Sequence, residues 1–377
     1  MPNRRTRKLT LLPAVLMLLT LMCTGCAHTT VLSDGFTRST ERFAVQLTEK
    51  QIKSRGAQDF CISPMGVYIT LTMAASGIGE DAASELAGVL GGLYPAECKS
   101  YAGILYRSRS AGAASAFALY PKGKAVISRE NPSFLREVRL FGASVLDADE
   151  KSVNRWLKKA GDEPYPYEPS DSPDTVMDIL NYIRFSSGWL QPFSVQPASA
   201  IFTREDGSQI QAVCMICRTS CRYRFEERYT RVSVPLEKGR AFFILPAEGC
   251  GISDIPLSEA LPEYGQKYGT VELTLPKFAC HYQQDLSAEL AQMGLQRFFS
   301  PGALGLAGLE DGRIGAVGQS CRIEIDEAGV SASAPASERI ESAPAGEVPA
   351  VVFDRPFVFG VCDADNRILF TGVCAMD

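Results

Sequence analysis

Small apolar and polar residues alternate in the segment that follows Glu327. The apolar positions, then the polar ones, are Val330, Ala332, Ala334 and Ala336, and Ser331, Ser333, Pro335 and Ser337. Such alternation is typical of a β-strand with one buried face. Strand-like segments flank the region at Arg322–Asp326 and Phe353–Phe359. The pattern therefore predicts a long loop that carries the sequence of a sheet strand, and loops of this length are usually functional or disordered.

The first 25 residues have the features of a targeting signal. A basic segment, Arg4 to Lys8, precedes an apolar segment, Leu11 to Cys23, that is too short to span a bilayer. Residues 24–26 resemble a bacterial lipobox, in which Cys26 is acylated and becomes the new amino terminus, although Cys23 stands where that motif usually has Leu. An ordinary secretory signal is the alternative. We expect a signal peptide at 1–25, a tether at 26–39, and a location on the outer face of a bacterial membrane, or otherwise secretion.

Several short motifs occur along the chain in a fixed order. They are Phe60–Pro64, Asn181–Trp189 followed by Phe193, Leu275–Phe278 followed by Asp285 and Leu286, Phe299–Ala303, Asp326–Gly329, and the pair Arg355–Phe359 and Ile368–Gly372. In this order they resemble the serpin family of serine protease inhibitors. The resemblance extends from about Phe43 to Ala375. Each motif alone is weak, but all of them in family order are specific.

The resemblance implies an α+β fold with three β-sheets, eight or nine helices and an exposed reactive-centre loop at about residues 327–350. Residues 40–377 would form one serpin domain. The Pro-rich run from Pro164 to Pro173 lies where serpins connect a helix to a sheet strand, so we interpret it as a loop and not as a linker between domains.

In the serpin mechanism a protease attacks the loop as a substrate, and the cut loop inserts into the main sheet while the protease is still attached. The hinge implied by the resemblance consists of Glu327, Gly329, Val330, Ala332 and Ala334. Glycine allows the chain to bend, and the small apolar residues suit the buried face of a sheet. Two residues oppose insertion: Pro335 lacks a backbone donor, and Glu338 falls on the inward face. A non-inhibitory serpin that acts as a surface binding lipoprotein is therefore the alternative.

Family spacing places the scissile bond between Ser342 and Gly346. Ser342–Ala343 and Ala345–Gly346 are the better candidate bonds, because Pro344 makes the bond after Ala343 a poor substrate. These small side chains suit an elastase-like or subtilisin-like serine protease. A trypsin-like enzyme would prefer Arg339–Ile340, which leaves a shorter strand to insert, and cysteine proteases are further possible targets.

The resemblance also implies residues that support the hinge and let the sheet part. Lys277 corresponds to the partner of Glu327 in an ion pair at the top of the sheet, and Trp189 to the aromatic residue packed beneath it. Ser63 and Asn181 lie where relatives build a polar cluster. Gln319 replaces the family's His there, and Gly66 replaces a usual Ser. Glutamine can donate and accept hydrogen bonds as histidine does, so we expect the cluster to persist without titrating.

The cysteines raise the possibility of a metal site. Ten of the twelve cysteines follow Cys26, and only Cys214, Cys217 and Cys221 have ligand-like spacing. A zinc site takes about four ligands, whereas a buried free cysteine behaves as a small hydrophobe. We therefore expect neither a metal nor a cofactor, and keep a metalloprotein built on this cluster as a further alternative.

Enzymatic catalysis is not expected from the sequence. A nucleophilic hydrolase needs an imidazole, and the only histidines are His28, in the tether, and His281, which we expect to be a hydrogen-bonded structural residue in a strand. No nucleophile elbow, phosphate-binding loop or dinucleotide fingerprint stands in a strand–turn–helix context.

The formal charge limits the partners. It is −5 for the whole chain and about −9 without the four basic residues of the signal. An acidic surface argues against nucleic acid, whose phosphates require Lys and Arg. We expect a monomer whose partners are a target protease and, through the lipid anchor, a membrane.

Overall fold

The computed structural model describes residues 32–107, 111–161, 163, 167–195, 200–331 and 348–377. These residues form nine α-helices, joined in places by short 3-10 turns. The helices are α1 Asp34–Arg55, α2 Pro64–Ala74, α3 Glu80–Leu90, α4 Pro95–Arg107, α5 Pro121–Glu130, α6 Pro132–Leu140, α7 Glu150–Ala160, α8 Leu257–Ala260 and α9 Ser287–Gln292. None of these helices is both long and apolar enough to cross a membrane.

The same residues form eighteen strands. They are β1 Phe60–Ile62, β2 Ala111–Leu119, β3 Ser144–Asp147, β4 Thr175–Phe185, β5 Ser187–Gly188, β6 Ser194–Val195, β7 Ala200–Thr203, β8 Gln209–Ala212, β9 Cys214–Phe225, β10 Tyr229–Leu236, β11 Gly239–Pro246, β12 Lys267–Pro276, β13 Phe278–Asp285, β14 Arg313–Ile325, β15 Gly329–Val330, β16 Ala350–Val352, β17 Phe357–Cys362 and β18 Ile368–Cys374.

The strands form three sheets. Seven strands make what we call the main sheet, in the order β3-β2-β4-β14-β15-β5, with β13 also paired to β14. Nine strands make the second sheet, in the order β1-β18-β17-β11-β10-β9-β12-β16, with β6 on β9; β7 and β8 form a separate hairpin. The predicted α+β fold with three sheets is confirmed.

Helix α2 lies in the core, in contact with β4 of the main sheet and β18 of the second sheet. All eleven of its residues are buried. The helix starts after Ser63, which caps it by accepting the amide of Gly66 (3.1 Å), and Pro64 occupies the first turn. This placement brings the cap residue Ser63 directly against the main sheet.

Helix α1 begins before the predicted domain boundary at residue 40. Ser33 caps it, Asp34 stands in its first turn, and Phe36 is completely buried against the aromatic rings of Tyr68 and Tyr94. Residues 34–39, which were expected to form part of the tether, therefore belong to the helix and contribute to the core.

The carboxy-terminal strand pair differs slightly from the prediction. Phe353–Phe359 was expected to be one strand-like segment, but β16 ends at Val352 and β17 begins at Phe357. Phe353 still donates its amide to the carbonyl of Thr274 on β12 (2.9 Å), but the next residues leave the ladder: the carbonyl of Asp354 accepts the amide of Thr203, and Pro356 has no amide to donate. The Pro-rich run predicted to be a loop has no helix or strand over its described residues, 167–173.

Candidate functional site

The predicted loop is only partly within the described residues. The scissile region Ser342, Ala343, Pro344, Ala345 and Gly346 lies outside them, as do hinge residues Ala332 and Ala334 and the lipidation residue Cys26. The described part consists of the hinge up to Ser331 and the sheet around it.

The beginning of the hinge already lies in the main sheet. Strand β15 is antiparallel to both of its neighbours: Val330 pairs with Ile325 of β14 and with Ser187 of β5, and Gly329 pairs with Gly188. The side chain of Val330 is completely buried. We call the space between β14 and β5 the slot; it holds two residues of an additional strand.

The sequence Asp-Glu-Ala-Gly before the slot folds as a tight turn. One carboxylate oxygen of Asp326 accepts the amides of Ala328 (2.8 Å) and Gly329 (3.1 Å), and the Asp326 amide donates to the Gly329 carbonyl (3.1 Å). Aspartate commonly stabilises turns through such local hydrogen bonds. The turn reverses the chain so that it re-enters the sheet beside the strand it has just left.

Trp189 fixes this turn from the side of β5. Its indole Nε1 donates to the carbonyl of Asp326 (2.8 Å), and its amide donates to the carbonyl of Ala328 (3.1 Å). The ring is completely buried and packs on Phe193, with the ring centroids 5.1 Å apart. The aromatic residue thus holds the turn by hydrogen bonds as well as by packing.

Lys277 and Glu327 form an ion pair beside the turn, with 2.7 Å between Nζ and Oε2. The hydrogen bond from Lys277 lowers the pKa of the Glu327 carboxyl below its usual value. Both side chains are about one-third exposed, so solvent screens the pair and its contribution to stability is small.

Ser331, the last described hinge residue, is anchored at the mouth of the slot. Its backbone has a positive φ of 46°, which is uncommon for a residue with a side chain. Its amide donates to the Glu324 carbonyl (2.6 Å), its hydroxyl accepts the Glu324 amide (3.1 Å), and its carbonyl accepts the hydroxyl of Ser186 (2.7 Å). These bonds hold the chain in a bend at the point where further insertion would begin.

Below the slot, β4 and β14 are directly paired, and we call this contact the seam. The pairing is parallel and runs from Thr175 opposite Arg313 to Arg184 opposite Arg322, with irregularities near Ile314. Parallel strands are normally buried within a sheet and covered on both faces. An additional strand could lengthen below Ser331 only if the seam opened.

A buried polar cluster crosses the seam. Gln319 of β14 accepts the amide of Ser63 (2.9 Å) and donates from Nε2 to the Ser63 carbonyl (3.0 Å) and to Oδ1 of Asn181 on β4 (2.9 Å). The hydroxyl of Ser63 donates to the Leu369 carbonyl (2.6 Å). The cluster therefore ties both strands of the seam to the start of α2.

The close approach of α2 to the seam depends on Gly66. A Cβ atom at this position would lie 2.3 Å from Oδ1 of Asn181, which is too close for any real contact. Two further members of the cluster were not predicted from the sequence: Asn181 Nδ2 donates to Ser115 Oγ (3.4 Å), which lies 3.2 Å from Thr70 Oγ1. The sequence could have indicated them, because Ser115 is a hydroxyl residue within an alanine-rich strand and Thr70 is one within an apolar helix.

A second polar cluster, also not predicted, lies at the lower end of the seam. Asp178 of β4 is 2% exposed, and its Oδ2 accepts the hydroxyls of Tyr120 (2.9 Å) and Tyr167. Burial raises the pKa of Asp178, although the two phenols partly offset the effect. The other oxygen, Oδ1, faces the backbone of Gly315 and Ala316 on β14, and the Ala316 backbone also acts to lower the pKa. The sequence could have indicated this cluster, because Asp178 is a charged residue within the otherwise apolar segment Val176–Leu180, and a buried charge needs partners.

The cysteine cluster has strand geometry. Cys214, Cys217 and Cys221 all lie on β9 and are buried. Residues three apart in a strand point to opposite faces, and residues four apart are separated by about 13 Å. In the described part of the chain no group of three or more His, Cys, Asp or Glu residues could hold a metal ion.

His281 lies in the predicted strand, on β13 opposite Arg322 of β14. Its side chain is exposed and is not part of the buried core.

The fold and the described part of the hinge define a protein whose main sheet holds the first two residues, Gly329 and Val330, of an additional strand. The family model "Serpin (serine protease inhibitor)" matches residues 38–376. The chain therefore belongs to the serpin family, whose members are in general protease inhibitors and not enzymes.

Individual relatives are distant in sequence. The uncharacterized serpin-like protein FPV010 of fowlpox virus is 26% identical over 343 residues, covering 84% of this chain and 95% of the viral protein. Serpin B10 of Sorex araneus is 25% identical and covers 90% of this chain and 98% of its own length.

Solved structures show the same fold. The thermophilic serpin tengpin in its native state superposes with a TM-score of 0.79 at 21% identity, covering 92% of this chain and 95% of tengpin. Thyroxine-binding globulin in complex with thyroxine superposes with a TM-score of 0.75 at 20% identity, covering 90% and 98%. The fold is thus shared with a protein that binds a small molecule.

Proposed function

We propose that this protein inhibits serine proteases as a suicide substrate, by inserting its cut loop into the main sheet. The single observation that carries the proposal is the position of β15, whose two residues occupy the slot with the pairing of a regular sheet strand. The residues after Ser331 would need the same antiparallel pairing between two strands that Gly329 and Val330 already have.

The registers on the two sides of the slot are compatible with further insertion. Val330 lies opposite Ile325 on one side and Ser187 on the other. Continuing both registers would bring position 336 opposite Gln319 and Asn181, which face each other across the seam now. The two strands would therefore separate sideways, without sliding along each other.

The sequence suits this path as far as position 337. Positions 332, 334 and 336, all alanine, would share the buried face of Val330. Each inserted residue would gain ladder hydrogen bonds on both sides. Pro335 lacks one donor, at a cost of about 1 kcal/mol, which is small beside the pairing of a whole strand.

Two charged residues come next and have opposite effects. Glu338 would lie on the core face, opposite Val317 and Ile179, which are both completely buried. Arg339 would lie on the other face, opposite Asp178 on β4 when the register between β15 and β5 is continued. Burial of a carboxylate among apolar groups is costly, whereas Asp178 is a buried carboxylate whose Oδ1 could receive the guanidinium.

The target proposed from the sequence is an elastase-like or subtilisin-like enzyme. The bonds Ser342–Ala343 and Ala345–Gly346 present small side chains to a shallow pocket. Cleavage at either bond leaves Arg339 within the insertable strand. A cysteine protease that forms an acyl-enzyme could be trapped in the same way.

The proposed location is the outer face of a bacterial membrane, through acylation of Cys26. Helix α1 starts at Asp34, eight residues further along. Eight extended residues span at most about 28 Å, so an anchored molecule would work close to the lipid surface. A secreted protein without an anchor is the alternative.

Mixing with pancreatic elastase or with subtilisin tests the proposal. The expected result is a covalent complex that survives denaturing electrophoresis, with release of a carboxy-terminal peptide whose mass locates the cut. Val330→Arg should abolish the complex while leaving cleavage intact, because a charge cannot enter the buried face of the slot. Val352→Arg, at an exposed valine of β16, is the matched control and should leave the complex unchanged.

A non-inhibitory serpin that binds another molecule is the second candidate. Glu338 on the inward face favours it, because it opposes complete insertion. Cleavage of the unaltered protein by every protease tested, with no complex formed, would support this second function and contradict inhibition.

A further inference from the structure

A surface groove lies on the second sheet, next to the hinge. Its volume is about 320 Å³, within the usual range for a site that binds a small molecule. Tyr268, Arg222, Arg240 and Leu190 line it, together with Leu236 and Gly239, which flank the turn between β10 and β11. We propose that this groove binds a small organic anion with an apolar or aromatic body.

The sheet register brings the two arginines to one face. Arg222 of β9 pairs with Tyr268 of β12 on one side and with Ser233 of β10 on the other. Arg240 of β11 pairs with Pro235 of β10, which has the same parity as Ser233. Directly opposed residues share a face of a sheet, so these side chains project into the same groove.

The groove carries a local positive charge on an otherwise acidic protein. Arg222 and the completely buried Arg231 share one carboxylate, that of Glu263, at 3.4 Å and 2.5 Å. Arg240, in contrast, donates to the neutral side chain of Asn366. Arg222 thus shares the carboxylate of Glu263 with a second guanidinium group, and Arg240 has a neutral partner, which favours an anionic ligand.

The acidic residues beside the groove do not cancel this charge. Asp363 and Asp365, in the turn before β18, are both bound by Arg367. Glu237, in the turn between β10 and β11, lies on the side of that turn facing β5, where a Cβ atom on Gly188 would be 3.4 Å from its carboxyl. The guanidinium of Arg240 therefore remains the natural contact for an anion in the groove.

The groove also offers exposed apolar side chains against which the apolar part of the ligand can pack. The side chains of Tyr268 and Leu190 are 72% and 60% exposed. A ring laid on the tyrosine would remove apolar surface from water and bring an attached acidic group to the guanidiniums. Arginine suits this task because its planar group binds carboxylates and similar anions with two parallel hydrogen bonds.

The groove is coupled to the slot by hydrogen bonds. Leu190 donates its amide to the Pro235 carbonyl (3.1 Å), and the amides of Glu237 and Lys238 donate to the Gly188 carbonyl (2.9 Å) and to the Ser187 hydroxyl (3.2 Å). The turn whose two flanking residues line the groove thus holds β5, the outer edge of the slot. Occupancy should therefore stabilise the present position of β5 and slow further insertion; this regulatory part rests on the proposed function.

Anilinonaphthalene sulfonate is a suitable probe, because it joins a sulfonate to aromatic rings and fluoresces when bound. We expect saturable binding at one site, weakened by added salt. Arg240→Gln should weaken it by about tenfold, the usual effect of removing a charged hydrogen-bond partner, and Tyr268→Ala should also weaken it. The uncharged analogue N-phenylnaphthylamine should not compete. Arg129→Gln, at an exposed arginine of α5, is the control that should bind as the unaltered protein does.

Equal affinity of the unaltered protein and Arg240→Gln, or equal binding of the charged and uncharged dyes, would overturn the proposed site. Binding is measured without a protease, so this result does not depend on whether the protein inhibits. The coupling has its own test: saturating dye should slow formation of the covalent elastase complex in the unaltered protein and not in Arg240→Gln. An unchanged rate at saturation would contradict the coupling, and absence of any complex would count against the proposed function.

Discussion

The side chain of Gln319 donates a hydrogen bond to Asn181 across the contact between β14 and β4, over 2.9 Å. This bond joins the two strands that must separate if the loop is to enter the sheet. Both residues are buried, so breaking the bond without replacement is costly. The native sheet is thus closed by a specific polar contact as well as by its backbone ladder.

Replacing Gln319 by Leu should weaken this closure. The change removes the bond to Asn181 and both bonds to the backbone of Ser63, so we expect the intact protein to lose about 1–3 kcal/mol of unfolding free energy. Urea unfolding measures the loss. Gln209→Leu, on an exposed strand position, is the control. No loss in Gln319→Leu relative to this control would show that the cluster does not stabilise the native sheet.

The ion pair beside the hinge should make a small, pH-dependent contribution. Because Lys277 lowers the pKa of Glu327, the stabilisation is present above the ordinary value of 4.5 and is lost as pH falls through the lowered value. Lys277→Met should therefore cost at most about 1 kcal/mol at neutral pH, and nothing at pH values where Glu327 is protonated. Melting curves across this range test the prediction. A deficit that is equally large in acid would assign the effect to packing and not to charge.

Asp178 and Arg339 should be coupled only after the loop is cut. We expect Asp178→Asn and Arg339→Gln each to destabilise the cleaved protein, and the double variant to be little worse than either single one. A coupling of about 1–3 kcal/mol is typical of charged hydrogen bonds. Additive effects in the cleaved form would exclude the pairing.

In the uncut protein, Asp178→Asn should not lower the free energy of unfolding, in contrast to its effect in the cleaved form. The pKa of Asp178 is raised, so its ionisation lowers stability as pH rises above the ordinary value of 3.8. Asp178→Asn should therefore be neutral or stabilising in the uncut protein at neutral pH. Urea unfolding of both forms checks the difference, and a large loss in the uncut variant would show that the hydrogen bonds from Tyr120 and Tyr167 outweigh the cost of burying the carboxylate.

Glu338 should limit insertion. Glu338→Ala removes a carboxylate that would otherwise be buried opposite Val317 and Ile179. The variant should form more complex per molecule cleaved at neutral pH, and the difference should shrink in acid, because a protonated carboxyl is less costly to bury. Gel quantification of complex against cleaved inhibitor measures this ratio. Ser337→Ala, on the opposite face of the strand, is the control. An unchanged ratio in Glu338→Ala would place residue 338 outside the inserted strand.

The sequence was sufficient for the fold because the family motifs fix the order of the central strands. It indicated a strand pattern from Val330 onward; Val330 is in the sheet, and the positions of the pattern after Ser331 lie outside the described residues. It could not show how far the hinge enters, because the stopping point depends on bonds from Ser186 and Glu324 to Ser331. These residues carry no distinctive motif.

The polar residues along the seam were harder to predict. Asp178 and Tyr167 are eleven positions apart, and Tyr120 is far from both, so their contact is a product of the tertiary structure. Gly66 illustrates the same limit. Its place in the family pattern suggested an incomplete cluster, whereas the structure shows that the missing side chain makes room for the Asn181 amide.

The most direct test of the proposed inhibition is the melting temperature of the protein after a single cut between Ser342 and Gly346. Loop insertion adds a strand to the main sheet, so we predict that the nicked protein melts well above the intact one, by about 10 °C or more given the roughly 2–4 °C that each kcal/mol contributes in a large domain. Val330→Arg, cut at the same bond, should show no increase. A nicked protein that melts at or below the temperature of the intact molecule would contradict loop insertion.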